Sequence, residues 1–390
     1  MSKVRESTLP IGEAEVLAQK PRKKKKKKKG GTFGRFVRRF LLVLITLVIA
    51  AAAGLIMVLN TVFNGPSEAA RDVLTMSLSE ASATKWVPGI FLGDEKVAEI
   101  RNKSGAALEQ EYSDASQVVI NKDGALTSSD EWKNYPDGIR IEEYKGETYN
   151  AHIMIIRDPS QVYMATSTDG AFSTNVPGTR IHNEIVDEGA IAAINAGAFN
   201  DDGSANSYVG SIPAGLLIVN GEVKSNKYAN LVPEEGFAGF TFDNILVVAK
   251  SMTPEQAKEL NIRDGCEFGP VLIMNSVVNQ EAYNANSGYN PRTAIGQRAD
   301  GSVIFLCIDG RQASSLGGTY RDIIDIMVEY GAVNACNMDG GSSSVMMYLD
   351  SQGRYGEAGE YVMINSYSLL QSEPRRMPNF WMVRPNNEEG

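Results

Sequence analysis

Apolar positions take four kinds of spacing along this chain, and each marks a different kind of element. The first apolar block, Phe40 to Leu59, has no period: it is twenty uncharged, mostly aliphatic residues in one run. At ~1.5 Å per residue such a helix matches the ~30 Å hydrocarbon thickness of a bilayer. From Glu68 to about Ile100 the pattern turns helical, with Ala69, Ala70, Val73, Leu74 and Leu78 in an intermittent stripe that Pro88-Gly89 is expected to break. Residues 101 to 137 are polar, acidic and short of large aliphatics, which predicts a surface segment or linker. Short apolar runs then take over, at Ile139–Tyr144, Ala151–Ile156, Val162–Thr166, Ile191–Ile194 and Gly215–Val219. These read as strands.

Turn chemistry punctuates them. Asn220-Gly221, Asp243-Asn244 and Asp300-Gly301 each separate two apolar runs and predict hairpins. At least three helices are interspersed. Thr253-Pro254-Glu255-Gln256 supplies an N-cap, a first-turn proline and a capping-box Gln. Thr319 caps a second helix, in which Tyr320, Ile323, Ile324, Met327 and Val328 form an apolar face up to Gly331. Ile181 to Glu188 forms the third. The fold class that follows is mixed α/β (α+β): a mixed sheet with hairpins, preceded by one transmembrane helix. The domain plan has a basic tail (1–39), an anchor (40–63), a stalk or linker (64–137) and a main domain (138–390).

Charge sharpens the plan. Residues 1 to 39 carry fourteen Lys or Arg against three Glu, whereas the rest of the chain sums to −20 within an overall −9. An acidic body of that size repels a phosphate backbone, so nucleic acid is not an expected partner. Basic residues before the apolar run and almost none just after it place the N-terminus in the cytoplasm and the main domain outside, a single-pass type II arrangement. A cleaved signal peptide would have an apolar core of only about 7–15 residues. The seven lysines Lys23–Lys29 are expected to stay disordered and to hold anionic inner-leaflet lipids. Cys266, Cys307 and Cys336 show neither paired metal-ligand spacing nor an even count, which argues against a zinc site or a full disulfide scaffold.

The candidate chemistry lies at the end of two strands. Val303 to Asp309, the Thr319 helix and Ala332 to Asp339 form a strand–helix–strand unit of the length of a right-handed parallel crossover. Asp309 and Asp339 would then lie at the C-terminal edges of neighbouring strands, where ligands of α/β sheets bind. After Asp339, Gly340 and Gly341 would leave their N–H groups free for an anion, and Ser342 to Ser344 would add donors. An ordinary Asp-Gly turn explains the same residues. With Arg292 and Arg311 nearby, the set fits cleavage of an anionic glycosyl bond: an anion clamp, a carboxylate for the oxocarbenium-like centre or for water, and polar groups for sugar hydroxyls. A Ser-His-Asp triad is disfavoured. There is no G-x-S-x-G, and of the two histidines His152 lies in an apolar run while His182 sits at a helix start.

Five motifs in order, Ala193-Ile-Asn195-Ala-Gly197-Ala-Phe199, Pro213-Ala-Gly215, Arg292-Thr293-Ala-Ile-Gly296, Asp309-Gly-Arg311 and Asn337-Met-Asp339-Gly-Gly341-Ser-Ser343, resemble those of the phosphodiester glycosidase family over residues 150 to 384. The resemblance implies hydrolysis of a sugar-1-phosphodiester in cell-surface polysaccharide or wall-polymer metabolism. Asp309 and Asp339 would be catalytic, and Asn195, Gly197, Arg292, Thr293, Arg311, Gly340, Gly341, Ser342, Ser343 and Arg375 would bind a sugar-phosphate or surface-glycan substrate. No cofactor is required by this reasoning, and a divalent cation remains compatible with it. A non-catalytic glycan-binding module and a glycosyl-phosphate transferase are the alternatives. Two departures stand out: Ala198-Phe199 replaces the usual pair of aromatics, and Pro374 replaces the Glu before the late arginine.

Overall fold

A computed structural model describes residues 32–79, 84–101, 108, 110–119, 132–200, 209–232, 235–367 and 373–386, so the lysine run Lys23–Lys29 lies outside the described residues. Contacts divide the chain into two units, Met1–Val58 and Leu59–Gly390. Helix α1 (Thr32–Phe63) contains a span, Phe36–Phe63, long and apolar enough to cross a membrane, and none of its most apolar window is buried.

Along the second unit come α2 (Glu68–Ser79), α3 (Val87–Leu92) and α4 (Asp94–Arg101), then β1 (Ile139–Lys145), β2 (Asn150–Ile156), β3 (Val162–Thr166), α5 (Ile181–Asp187) and β4 (Ala192–Asn195). Next are β5 (Gly215–Val219), β6 (Glu222–Lys227), β7 (Phe237–Thr241), β8 (Leu246–Ala249), α6 (Pro254–Glu259), β9 (Ile262–Glu267), β10 (Val271–Met274), β11 (Val277–Val278) and α7 (Gln280–Asn284). The chain continues through β12 (Arg292–Arg298), β13 (Val303–Ile308), α8 (Tyr320–Glu329), β14 (Ala332–Met338), β15 (Met346–Asp350), β16 (Glu360–Met363) and β17 (Asn379–Val383). The expected break at Pro88-Gly89 is not there. Pro88 instead occupies the first turn of α3, where a missing N–H costs nothing.

The strands form three sheets, ordered β1-β2-β13-β12-β14-β10-β11, β16-β15-β4-β17-β3 and β6-β5-β9-β7-β8. Every neighbouring pair is antiparallel. The mixed α/β fold is as the pattern indicates, but β13 and β14 are not neighbours. They run the same way with β12 between them, because β12 turns back from β13 as a hairpin and is long enough to pair with β14 on its other side. α8 therefore crosses over one intervening strand.

Alternation along these strands separates two cores. Met154, Ile156, Phe305, Cys307, Ile295, Cys336 and Met338 face a central core shared with the other two sheets. Ile153, Ile155, Leu306, Ala294 and Ala335 face the opposite way, under Ile323, Ile324 and Met327 of α8. Thr319 starts that helix with a capping box whose partner is Asp322. Residues 111–113 extend the third sheet: Ser113 N–H donates to Val248 O (2.9 Å) and Lys250 N–H to Glu111 O (3.1 Å).

Candidate active site

Register fixes the rim of the site. Arg292 pairs with Ile308, and Thr293 pairs with Met338, so the start of β12 and the ends of β13 and β14 share one edge. Asp309 and Asp339 are the next residues out. The second sheet brings the end of β4 to the same place. Asn195, fully buried, donates through Nδ2 to Asp339 O (2.6 Å) and accepts at Oδ1 from Thr293 Oγ1 (2.8 Å) and Val345 N–H (3.2 Å). Asp339 N–H returns to Ala196 O (3.0 Å), and Ala198 N–H reaches Glu267 O (3.1 Å) at the end of β9 in the third sheet. Gly197 is the link between them. A Cβ there would lie 2.8 Å from Cys266 Cβ, and its N–H donates to Asn379 Oδ1 (2.7 Å).

The two carboxylates have different environments. Asp309 is 3% exposed, accepts Ser366 N–H at Oδ1 (2.8 Å) and lies 3.3 Å from His152 Nε2 by the same oxygen. Ser315 Oγ also donates to its carbonyl (2.8 Å). Asp339 is only half-buried. Of the two, it is the one a ligand can reach.

The loop after Asp339 departs from expectation in one respect. Gly341 N–H is not free for an anion, because it donates to Pro291 O (2.8 Å), and residues Gly341–Ser343 close a 3₁₀ turn. The glycine is still required. Its φ is +62°, and a Cβ would lie 3.2 Å from Arg311 Nη2, so the guanidinium rests over bare backbone. A Cβ at Gly340 would come within 2.9 Å of Pro291 O. Ser343 and Ser344 are buried with hydroxyls that have no hydrogen-bond partner among the described residues, whereas Ser342 is half-buried and faces Arg375.

Three arginines divide similarly. Arg292 is 2% exposed, donates to the carbonyls of Gly318 (3.1 Å), Ser287 (2.6 Å) and Gly288 (3.1 Å), and stacks on Tyr320 with Cζ 4.5 Å from the ring centroid. Arg311 is exposed and donates to Asn290 Oδ1 (3.1 Å). Arg375 is half-buried, lies 4.6 Å over the Phe199 ring and points Nη1 at Ser342 Oγ (3.4 Å).

Tyr367 joins these groups, and the sequence offers no signal for it, since it sits in an aperiodic loop outside every motif. Its hydroxyl donates to Ser342 O and accepts Arg375 N–H (3.3 Å). Burial raises its pKa first, while Arg375 and Arg311 pull it down and Asp339 pushes it up, so both guanidiniums and the carboxylate act on one phenol. Among the described residues no group of three or more His, Cys, Asp or Glu is placed to hold a metal ion.

The phosphodiester glycosidase family model matches residues 188–384, which include the ends of β4, β9, β13 and β14, the start of β12, Tyr367 and Arg375. The chain belongs to this family. A phosphodiester glycosidase of this kind is similar over 55 residues, at 44% identity, to an SPbeta prophage-derived uncharacterized protein, YomE, of Bacillus subtilis strain 168; that match covers 14% of this chain and 8% of YomE's length. Among solved structures, the zebrafish N-acetylglucosamine-1-phosphodiester alpha-N-acetylglucosaminidase catalytic domain, auto-inhibited by its pro-peptide, is similar at 17% identity and a TM-score of 0.49, over 65% of this chain and 85% of that one. A hypothetical protein from Synechocystis is similar at 14% identity and a TM-score of 0.42, over 63% and 62%.

Proposed function

We propose that this phosphodiester glycosidase hydrolyses a sugar-1-phosphodiester of a surface polysaccharide or wall polymer, on the outer side of a membrane crossed by α1. The observation that carries the reading is the half-buried Asp339 at the start of the Gly340–Ser342 turn, against which Arg311, Arg375 and the Tyr367 hydroxyl all lie. When the bond between the anomeric carbon and the phosphate oxygen breaks, its electron pair leaves with a phosphate that the two arginines neutralise. Asp339 takes the proton of the attacking water, or stabilises the positive anomeric centre. Ser342 and the Tyr367 hydroxyl orient the substrate. Asp309 and Arg292 are too buried to share that contact, and this reading gives them supporting roles: Asp309 holds the Ser366–Tyr367 loop, and Arg292 ties the 287–291 segment to β12.

The test uses the full chain in detergent with an α-glycosyl phosphodiester, with and without an acceptor sugar. Release of reducing sugar and phosphomonoester supports hydrolysis. A new glycosidic product with the acceptor would make the protein a transferase, and binding without turnover would make it a glycan-recognition module. For the membrane part, protease added to intact cells should remove residues 64–390, and full protection would overturn the type II arrangement. The Lys23–Lys29 run would add attraction to anionic inner-leaflet lipid at about 1 kcal/mol per residue near the surface.

A further inference from the structure

One titratable side chain in the buried stretch of β2 takes no part in the proposed chemistry. His152 is 7% exposed and lies across from Glu143 on β1 and Cys307 on β13. Its Nε2 stands 3.3 Å from Asp309 Oδ1, within ion-pair distance, yet the angles miss a hydrogen bond and both ring nitrogens are buried without an aligned partner. Leaving such a group unpaired is destabilising, a penalty that an apolar residue at this position would not incur. Of the other groups facing it, the Cys307 thiol is pushed well up by burial and stays neutral, and Glu143 is exposed at the outer strand. Arg311 sends its guanidinium to Asn290. Asp309 is the acceptor that remains.

Asp309 passes this contact on. The oxygen that faces His152 also receives Ser366 N–H (2.8 Å), and Gln312 Nε2 holds Ser366 O from the other side (2.8 Å). The next residue is Tyr367, whose hydroxyl connects to Ser342 O and Arg375 N–H. A continuous path of contacts therefore leads from β2 to the arginine that would grip phosphate.

We propose that His152 is a positioning residue: a rotation that aligns its Nε2–H with the Asp309 oxygen 3.3 Å away holds the carboxylate in the rotamer that receives Ser366 N–H, and so sets Tyr367, Ser342 and Arg375. It touches no substrate. The inference rests on the hydrolytic reading of the rim for its kinetic consequence, but its structural half can be read without substrate. Once His152 is aligned, Asp309 Oδ1 has a second donor beside Ser366 N–H and is fixed in rotation, whereas with that single donor in a 3% exposed site it can turn and release the loop.

The chain has only two histidines, His152 and His182, so the full protein in detergent micelles with ¹⁵N-labelled histidine gives an assignable spectrum. A downfield, exchange-protected Nε2–H resonance is expected in the native protein and in His182→Gln. It should vanish in His152→Phe and move upfield in Asp309→Asn, whose neutral acceptor is weaker. With a glycosyl phosphodiester, His152→Phe should lower kcat and raise KM together, by about 10- to 100-fold in kcat/KM, the scale of a ~1 Å misplacement. His152→Gln, which returns an amide donor near Nε2, should recover most of that loss. Absence of the protected resonance, its indifference to Asp309→Asn, or native kinetics in a folded His152→Phe would each overturn the proposal. Absence of turnover by the native protein would instead overturn the hydrolytic reading and leave the resonance to decide the positioning role.

Discussion

Replacing each clamp arginine by alanine should cost unequal amounts, and the inequality follows from exposure. A charge-assisted hydrogen bond contributes roughly 1.5–3 kcal/mol, which at about 1.4 kcal/mol per decade is ~10- to 150-fold in kcat/KM. Arg375 should show the full range. It is half-buried, rests on Phe199 and is aimed by Ser342, so little side-chain freedom is lost when phosphate binds. Arg311 is exposed, and re-directing an exposed, rotamer-rich side chain from Asn290 Oδ1 to phosphate takes back about 0.5–1.5 kcal/mol. Its loss should therefore be only ~5- to 13-fold at low ionic strength. Salt separates them further, because the screening length falls from about 10 Å at 0.1 M to about 3 Å at 1 M and an exposed pair feels this most. The assay is kcat/KM on a glycosyl phosphodiester at both salt concentrations, for Arg311→Ala, Arg375→Ala and the native chain, with circular dichroism confirming the fold. Equal losses, or a larger and salt-independent loss for Arg311→Ala, would refute the burial argument.

Asp339→Asn should lower kcat by ~10²-fold or more with a normal fold, as expected when a preorganised charge is removed; undiminished turnover would return Asp339 to a turn-capping role. Gly341→Ala should lower Tm by about 2–5 °C, since its φ of +62° costs a side-chain-bearing residue about 1–2 kcal/mol, and should raise KM by pushing Arg311 aside. Glu184 is raised to about 7 from 4.5, chiefly by burial and then by Glu188 and Asp187. A raised carboxyl favours the folded state only while protonated, so its contribution is whole below 4.5 and is lost as pH rises through about 7; Glu184→Gln should flatten the Tm–pH slope in that window. Deleting α2 removes Ser77 Oγ, which accepts Tyr289 N–H (2.9 Å) in the segment that also carries Asn290 and Pro291, and proteins lacking residues 1–101 should lose kcat/KM relative to those lacking residues 1–64.

What the sequence makes legible is what short-range chemistry decides. Asn220-Gly221, Asn244 and Gly301 take positive φ as hairpin turns demand, and the Thr253 capping box forms with Gln256 as its partner. The strand ends at Asp309 and Asp339 are readable for the same reason, since an apolar run that stops at a carboxylate marks a rim. What is not legible depends on residues far apart in the chain. The seven residues of β12, from Arg292 to Arg298, are buried or nearly so on both faces, so no period of two shows that it must sit between β13 and β14. The unequal burial of the two aspartates is set by Ser366, 57 residues beyond Asp309, and by His152 on another strand.

Arg292 shows why residue type and motif do not by themselves assign a role. An arginine in a motif beside two aspartates suggests a phosphate ligand, yet a guanidinium with five donors serves equally to gather orphan carbonyls. At the first residue of β12 the rim places the carbonyls of Ser287, Gly288 and Gly318 within its reach, and Tyr320 offers a ring face. Those contacts brace the segment whose Asn290 holds Arg311 and whose Pro291 receives Gly341 N–H. On the proposed reading Arg292 acts on an anion through the loop it steadies, and Arg292→Lys, which keeps the charge but loses the fork, should then impair the site almost as much as Arg292→Ala. Retention of native KM in Arg292→Lys alongside a large rise in Arg292→Ala would show that charge, and hence direct contact with the anion, is what this position supplies.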